Sequence, residues 1–140
     1  MKILYYSSHP QLSLSSQSGP GTHMRETIRA LNNLGHEVCP VIIGDNLNGE
    51  SKGIEIKQVN SGIRSFIKLL IPKIIWRSLK ELQLLKRDKA AEIILSKKIA
   101  DFKPDLVYER GAYLQLSGIN VLRKTGIKHF MELNAPFIDE

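Results

Sequence analysis

A glycine pair directly in front of a predicted helix is the first stretch whose residue types suit ligand chemistry. Residues 19–23 are GPGTH. Gly19 and Gly21 let backbone amides approach a phosphate closely, and a helix that begins at Thr22 would offer free N–H groups and the positive end of its dipole. His23 would add a hydrogen-bond donor or a cation. The alternatives are that the glycines only form the turn into the helix and that His23 is solvated.

The spacing around this pair does not match two familiar phosphate-binding motifs. A dinucleotide fingerprint needs a tight turn after the strand and a third glycine, but Met24 stands there and about a dozen residues separate Tyr6 from Gly19. A P-loop needs Gly-Lys-Ser or Gly-Lys-Thr, which does not follow the pair. Asp45 still matches the position of a ribose-binding acid. The long polar loop favours an open cleft that faces a second domain or a second substrate.

Two further groups of polar residues follow predicted strands. Glu109 and Arg110 come just after a short apolar run, where they would bind ligand hydroxyls or form a local ion pair. Glu132 and Asn134 occupy the same kind of place at the end of the last strand. An ion pair with a neighbour is the alternative for Glu132.

The elements that position these residues alternate between strand and helix. Apolar runs predict strands at residues 2–6, 37–43, 54–59, 106–108 and 128–133. Helical periodicity predicts helices at residues 22–34, 63–71, 73–87, 90–102 and 113–124, with long loops at 7–21 and 45–53. This order predicts an α/β fold: a parallel sheet with helices on both faces and right-handed crossovers. Ligands of such sheets bind beyond the carboxyl ends of the strands, where the residues above fall.

Composition limits the chain to a single ordinary globular domain. It has 140 residues, 42% of them hydrophobic and 24% charged, with a formal net charge of +6. The charge is compatible with an anionic partner, although many soluble proteins are mildly basic. Cys39, the single cysteine, cannot form an internal disulfide, which favours a reducing compartment. No signal peptide and no long apolar span are evident, so we expect a cytoplasmic protein.

A basic segment at residues 64–89 raises the question of a membrane surface. It carries eight lysines and arginines against Glu81 and Asp88, interleaved with apolar residues that include Phe66 and Trp76. Such a segment suits the inner face of an anionic membrane, and the alternative is a packed helix with a solvated basic face. No RNA-binding module is evident, so we expect no nucleic-acid partner.

Several motifs in order carry a resemblance to a known family. They are KILYYS, the loop that ends in Gly-x-Gly, THMRETIRALNNLGHEV, PDLVYERGAYLQLSG and FMELNAPFIDE. Together they resemble the N-terminal domain of family 4 glycosyltransferases, which have the GT-B fold. The resemblance covers nearly the whole chain, and the order of the motifs is more specific than LGHEV alone.

The resemblance implies a Rossmann-like domain that works with a second one across a cleft. The second domain would bind a nucleotide sugar, and this one would bind most of a glycan or lipid-linked acceptor. The expected reaction is transfer of the sugar with retention of configuration, without a cofactor or an essential metal. Gly19, Gly21, Thr22 and His23 would lie near the donor phosphates, where amides at a helix start stabilise the charge of the leaving diphosphate.

The resemblance also implies roles for the later polar residues. Glu132 would be the catalytic candidate, as an acid–base or orienting group. Glu109, Arg110 and Asn134 would bind the acceptor. Since the sequence ends shortly after a strand and contains no donor-binding domain, we expect a fragment that does not transfer sugar alone. The alternatives are a stand-alone Rossmann-like module that binds a nucleotide through residues 19–22 and Asp45, and a non-catalytic partner subunit.

Overall fold

Short apolar strands pair in parallel to form the centre of the protein. The computed structural model describes residues 1–50 and 73–133, so the strand predicted at 54–59, the helix predicted at 63–71 and Asn134 lie outside the described residues. The described residues form a four-stranded parallel sheet in the order β2-β1-β3-β4. Its strands are β1 (Lys2–Ser7), β2 (Glu37–Ile42), β3 (Leu106–Arg110) and β4 (Lys128–Glu132).

Helices cover both faces of this sheet, which confirms the predicted α/β class. The helices are α1 (Gly19–Asn33), α2 (Ile43–Glu50), α3 (Lys73–Phe102) and α4 (Ser117–Leu122). Met24 of α1 packs with Tyr5 and Ile42 on one face. On the other face, α3 and α4 pack on β1 and β3 through a larger apolar cluster, which includes Leu4, Tyr6, Leu95, Val107 and Leu122.

Period-two alternation decides which side chains meet which helices. Tyr5 of β1 faces α1, whereas Leu4 and Tyr6 face α3 and α4. The same alternation in β3 puts Tyr108 on the α1 face and Val107 on the α3 face. The strand order and the alternation therefore place Tyr5 beside Tyr108, with ring centroids 5.3 Å apart.

Local signals place the ends of α1. Ser18 is the N-cap, its side chain accepts a hydrogen bond from the amide of Gly21, and Pro20 stands in the first turn. These residues make the helix begin at Gly19 rather than at the predicted residue 22. At the other end, Gly35 has a φ of 82°, a left-handed conformation that glycine adopts at no steric cost.

Several predicted boundaries were wrong. Residues 45–53 were expected to be a loop, but α2 begins at Ile43. The expected break between residues 87 and 90 is not present, since α3 is continuous from Lys73 to Phe102. The helix expected from residue 113 begins at Ser117, since Leu114 has a left-handed φ of 56° that a right-handed helix cannot contain.

Asp88 explains how the short helix α4 begins. Its carboxylate accepts hydrogen bonds from the amides of Leu116, at 2.8 Å, and Ser117, at 3.2 Å. Leu116, the N-cap residue, makes no capping bond with its own side chain. Asp88 is buried, so α3 supplies a cap that the local sequence of α4 does not provide.

We expect Asp88→Ala to lower the free energy of unfolding by about 2 kcal/mol, because two amides at a helix start lose a charged acceptor. Urea unfolding followed by circular dichroism would measure this. Asp101→Ala, at an exposed position of the same helix, is the matched control. Equal stability of the two variants would contradict the capping role.

Candidate functional site

The carboxyl edge of the sheet brings polar side chains from neighbouring strands together. Arg110, the last residue of β3, lies opposite Glu132, the last residue of β4. Ser7, the last residue of β1, lies opposite Arg110 on its other side. Because parallel strands end at the same edge, three residues that are far apart in sequence form one row next to the start of α1.

Glu132 is the centre of this row because three donors converge on its carboxylate. Its Oε1 accepts from His23 Nε2 at 2.9 Å and from Arg110 Nη1 at 3.2 Å. Its Oε2 accepts from the Tyr108 hydroxyl at 3.0 Å. We call Glu132, His23, Arg110 and Tyr108 the edge cluster. The structure thus joins three of the predicted site residues, and it adds Tyr108.

The edge cluster ranges from buried to exposed. The side chains of Arg110 and Glu132 are 11% and 14% exposed, whereas that of His23 is 50% exposed. His23 belongs to the first turns of α1, so this helix brings the exposed member to the edge. The cluster therefore combines a largely buried ion pair on the sheet with a ring that solvent can reach.

Two tyrosine hydroxyls add neutral donors beside the ion pair. Burial, and then the hydrogen bond to Glu132, raises the pKa of Tyr108 to about 12. Burial, and then the charge of Glu132, raises the pKa of Tyr5 to about 12, although Arg110 opposes this effect. Both phenols are therefore protonated at neutral pH. The Tyr5 hydroxyl is buried next to Arg110, and within the described part of the chain the Ser7 hydroxyl is buried without a hydrogen-bond partner.

His9 lies close enough to this edge for the charge of Arg110 to change its pKa. Burial lowers the pKa of His9, and the positive charge of Arg110 lowers it further. Its Nδ1 accepts a hydrogen bond from the amide of Gln11, at 3.2 Å. His9 is thus a neutral ring at the end of β1 when the pH is near 7.

The predicted phosphate loop is packed against its own helix. The Ser18 side chain accepts from the Gly21 amide at 3.3 Å, and the Ser18 carbonyl accepts from the Thr22 amide at 2.9 Å. A Cβ on Gly21 would overlap the carbonyl of Ser16, whereas a Cβ on Gly19 would meet nothing within 4 Å. A phosphate at this helix start would compete with Ser18 for the amides.

Arg25 and Asp45 hold the long loop in front of α1. Arg25 Nη1 donates to the carbonyls of Leu14, at 2.7 Å, and Ser16, at 2.6 Å. Asp45 accepts from the Ser13 hydroxyl and from the Leu14 amide. The carboxylate of Asp45, which was considered for ribose binding, is thus occupied by the loop.

Glu109 does not belong to the edge cluster, which corrects its predicted place. Strand β3 continues through Arg110, so Glu109 is inside the strand and faces α3 and α4, where it is only 1% exposed. His129 Nε2 lies 2.7 Å from Glu109 Oε2, and a Cβ on Gly118 would overlap the carboxyl group. Glu109 therefore cannot reach an acceptor at the edge that holds Arg110.

Burial favours the neutral forms of this pair. Burial, with a smaller effect from the charge of Asp88, raises the pKa of Glu109 from 4.5 to about 7. Burial also lowers the pKa of His129. Glu109 Oε1 has no hydrogen-bond partner among the described residues, so the ionised carboxylate would be poorly solvated.

Sequence analysis missed the tyrosines of the edge and the partners of Glu109. The signal for Tyr5 and Tyr108 was the two-residue spacing to Ser7 and Arg110, which places each pair on one face of a strand. No group of three or more metal-ligating side chains occurs in residues 1–50 and 73–133.

We expect Gly21→Ala to lower the free energy of unfolding by about 1–3 kcal/mol, because the new methyl group overlaps the Ser16 carbonyl. Gly19→Ala is the matched control in the same helical turn, and we expect it to be neutral or slightly stabilising. Chemical denaturation of both variants would measure the difference. A Gly21→Ala protein as stable as the control would show that the loop does not pack as described.

The raised pKa of Glu109 predicts a pH-dependent stability. The folded protein keeps a proton that the unfolded chain loses above pH 4.5, so this contribution is complete below pH 4.5 and is lost as the pH rises through about 7. The loss amounts to about 3 kcal/mol. We expect Glu109→Gln to remove this decline, as measured by urea unfolding from pH 4.5 to 8. The control Glu37→Gln, at an exposed position, should keep the wild-type profile, and a decline that persists in Glu109→Gln would refute the assignment.

Comparisons with protein-family models, with curated proteins and with solved structures found no match to this chain. Function is therefore inferred from the geometry of the edge cluster and from the motifs of the sequence.

Proposed function

We propose that this chain is the acceptor-side domain of a retaining glycosyltransferase with the GT-B fold. The observation that carries the proposal is the edge cluster, in which Glu132 accepts from His23, Arg110 and Tyr108 at the carboxyl edge of a parallel sheet. This edge is where α/β folds bind ligands, and the motifs that resemble family 4 glycosyltransferases supply the cluster's residues.

The cluster has the donors that transfer of a sugar from a nucleoside diphosphate requires. Negative charge grows on the leaving diphosphate, and donors that are fixed beforehand stabilise it without reorganisation. His23 is the exposed, chargeable donor at this edge, and it lies in the first turns of α1. A second domain would present the nucleotide sugar, which is a substrate and not a resident cofactor.

Glu132 best fits the orienting form of its predicted role. Both of its oxygens already accept hydrogen bonds, so it fixes the positions of His23, Arg110 and Tyr108. The exposed His23 ring is then the member that meets a donor phosphate, and the Tyr5 and Ser7 hydroxyls are buried at the same edge. Acceptor binding is thus assigned to Arg110 and its neighbours. Asn134 follows Glu132 in sequence and stays a candidate.

The test measures binding and transfer separately. We expect the 140-residue chain to bind glycans on an array. We expect Glu132→Gln to weaken that binding about tenfold, because the charged group that accepts from three donors becomes neutral. Glu26→Gln, at a half-exposed position of α1, is the control and should bind as the wild type does.

Transfer is measured with the full product of the gene that encodes this sequence. Labelled nucleotide sugars and a membrane lipid extract are supplied, and incorporation into glycan or lipid is followed. Failure of the chain to bind any glycan, together with no transfer by the full product, would contradict the proposal.

A further inference from the structure

Helix α3 is much longer than the sheet on which it packs. Its thirty residues span about 45 Å, whereas strands of five or six residues span about 20 Å. Among the residues of this helix whose burial the structure describes, 78 and 81–102, the buried ones are Asp88, Ala91, Leu95 and Ile99. The second half of α3 therefore covers the sheet, and residues 73–87, which we call the overhang, precede this packed part.

The direction of α3 shows which edge the overhang passes. The helix ends at Phe102, and β3 begins four residues later, at Leu106, at the amino edge of the sheet. Since the packed half ends near the amino edge, the overhang extends towards and beyond the carboxyl edge. This is the edge that carries Arg110 and Glu132.

Exposed leucines of the overhang line a groove together with a leucine from the turn before α4. Leu82 is 53% exposed and Leu85 is 45% exposed, and Leu116, just before α4, is 54% exposed. These three side chains line the same groove together with Lys86 and Lys89. Large apolar side chains at successive turns of a helix, flanked by lysines, form an amphipathic surface.

Charge points to an anionic partner for this surface. The overhang contains five basic residues, Lys73, Arg77, Lys80, Lys86 and Arg87, against a single acid, Glu81. Among the described residues, neither Lys86 nor Arg87 forms an ion pair. The acids that follow are engaged, because Asp88 binds two amides and Glu92 binds Lys89 and Asn120.

We propose that the overhang and Leu116 dock on the surface of an anionic lipid bilayer. Leu82, Leu85 and Leu116 would enter the boundary between headgroups and acyl chains, while Lys86 and Arg87 contact lipid phosphates. No helix of the described residues is long and apolar enough to span a bilayer. Docking would bring the carboxyl edge close to the bilayer. The inference rests on α3 and its charges, and it stands whether or not the chain takes part in sugar transfer.

Vesicle sedimentation tests the proposal directly. We expect the chain to bind phosphatidylcholine vesicles that contain phosphatidylglycerol, and to bind pure phosphatidylcholine vesicles far more weakly. Since each basic side chain near an anionic surface strengthens binding about fivefold, Lys86→Glu with Arg87→Glu should lower the partition coefficient at least tenfold. Leu82→Ser with Leu85→Ser should lower it as well, by removing the apolar contact.

Matched variants on the same helix separate the docking surface from net charge. Lys97→Glu with Lys98→Glu makes the same charge change at exposed positions of the packed half, and Ile93→Ser removes an apolar side chain that is more exposed than Leu82 or Leu85. We expect both controls to bind like the wild type, with circular dichroism showing that all variants are folded. No binding to anionic vesicles, or equal losses in the overhang variants and their controls, would overturn the proposal.

Discussion

The parallel register of β3 and β4 is the constraint on which the site depends. It places Arg110 opposite Glu132 at the last residue of each strand, so the ion pair forms where the sheet meets solvent. Glu132 then holds Tyr108 from within β3 and His23 from α1. One carboxylate thereby ties two strands to the helix that crosses their ends, and the position of each donor follows from it.

Alternation along β3 places neighbouring residues on opposite faces of the sheet. Arg110 reaches the edge cluster on the α1 face, whereas Glu109 is buried against α4 on the other face. Burial raises the pKa of the Glu109 carboxyl group, because solvent cannot reach it. Its hydrogen-bond partner is His129. The same two-residue period thus separates the edge cluster from the Glu109–His129 pair inside the fold.

The sequence was sufficient for the class of fold and for part of the site. Apolar runs and helical periods predicted the described strands and the alternation that leads to a parallel sheet, and the strand ends predicted that Arg110 and Glu132 would share an edge. The boundaries of the helices were harder to predict, because they depend on contacts between residues that are distant in sequence. Asp88 caps α4 from another helix, and Leu114 takes a left-handed conformation that its residue type does not suggest.

The burial of Glu109 could not be predicted for a related reason. A residue just after a predicted strand is expected to be exposed, but β3 extends to Arg110. Glu109 therefore lies inside the strand, and the alternation of side chains puts it on the same buried face as Val107. The role of Asp45 was equally hidden, since its partners lie in the loop before α1. Residue types identified the candidates, but the register and the packing of the loop decided which of them meet.

The central claim is that ligands bind at the carboxyl edge around Glu132. The most direct measurement is amide and histidine NMR of the chain during titration with uridine diphosphate, guanosine diphosphate and short glycans. The account predicts shifts concentrated at His9, His23, Arg110 and Glu132, with the amino edge around Lys2 and Asp105 unchanged. Shifts confined to other surfaces, or none with any of these ligands, would contradict it.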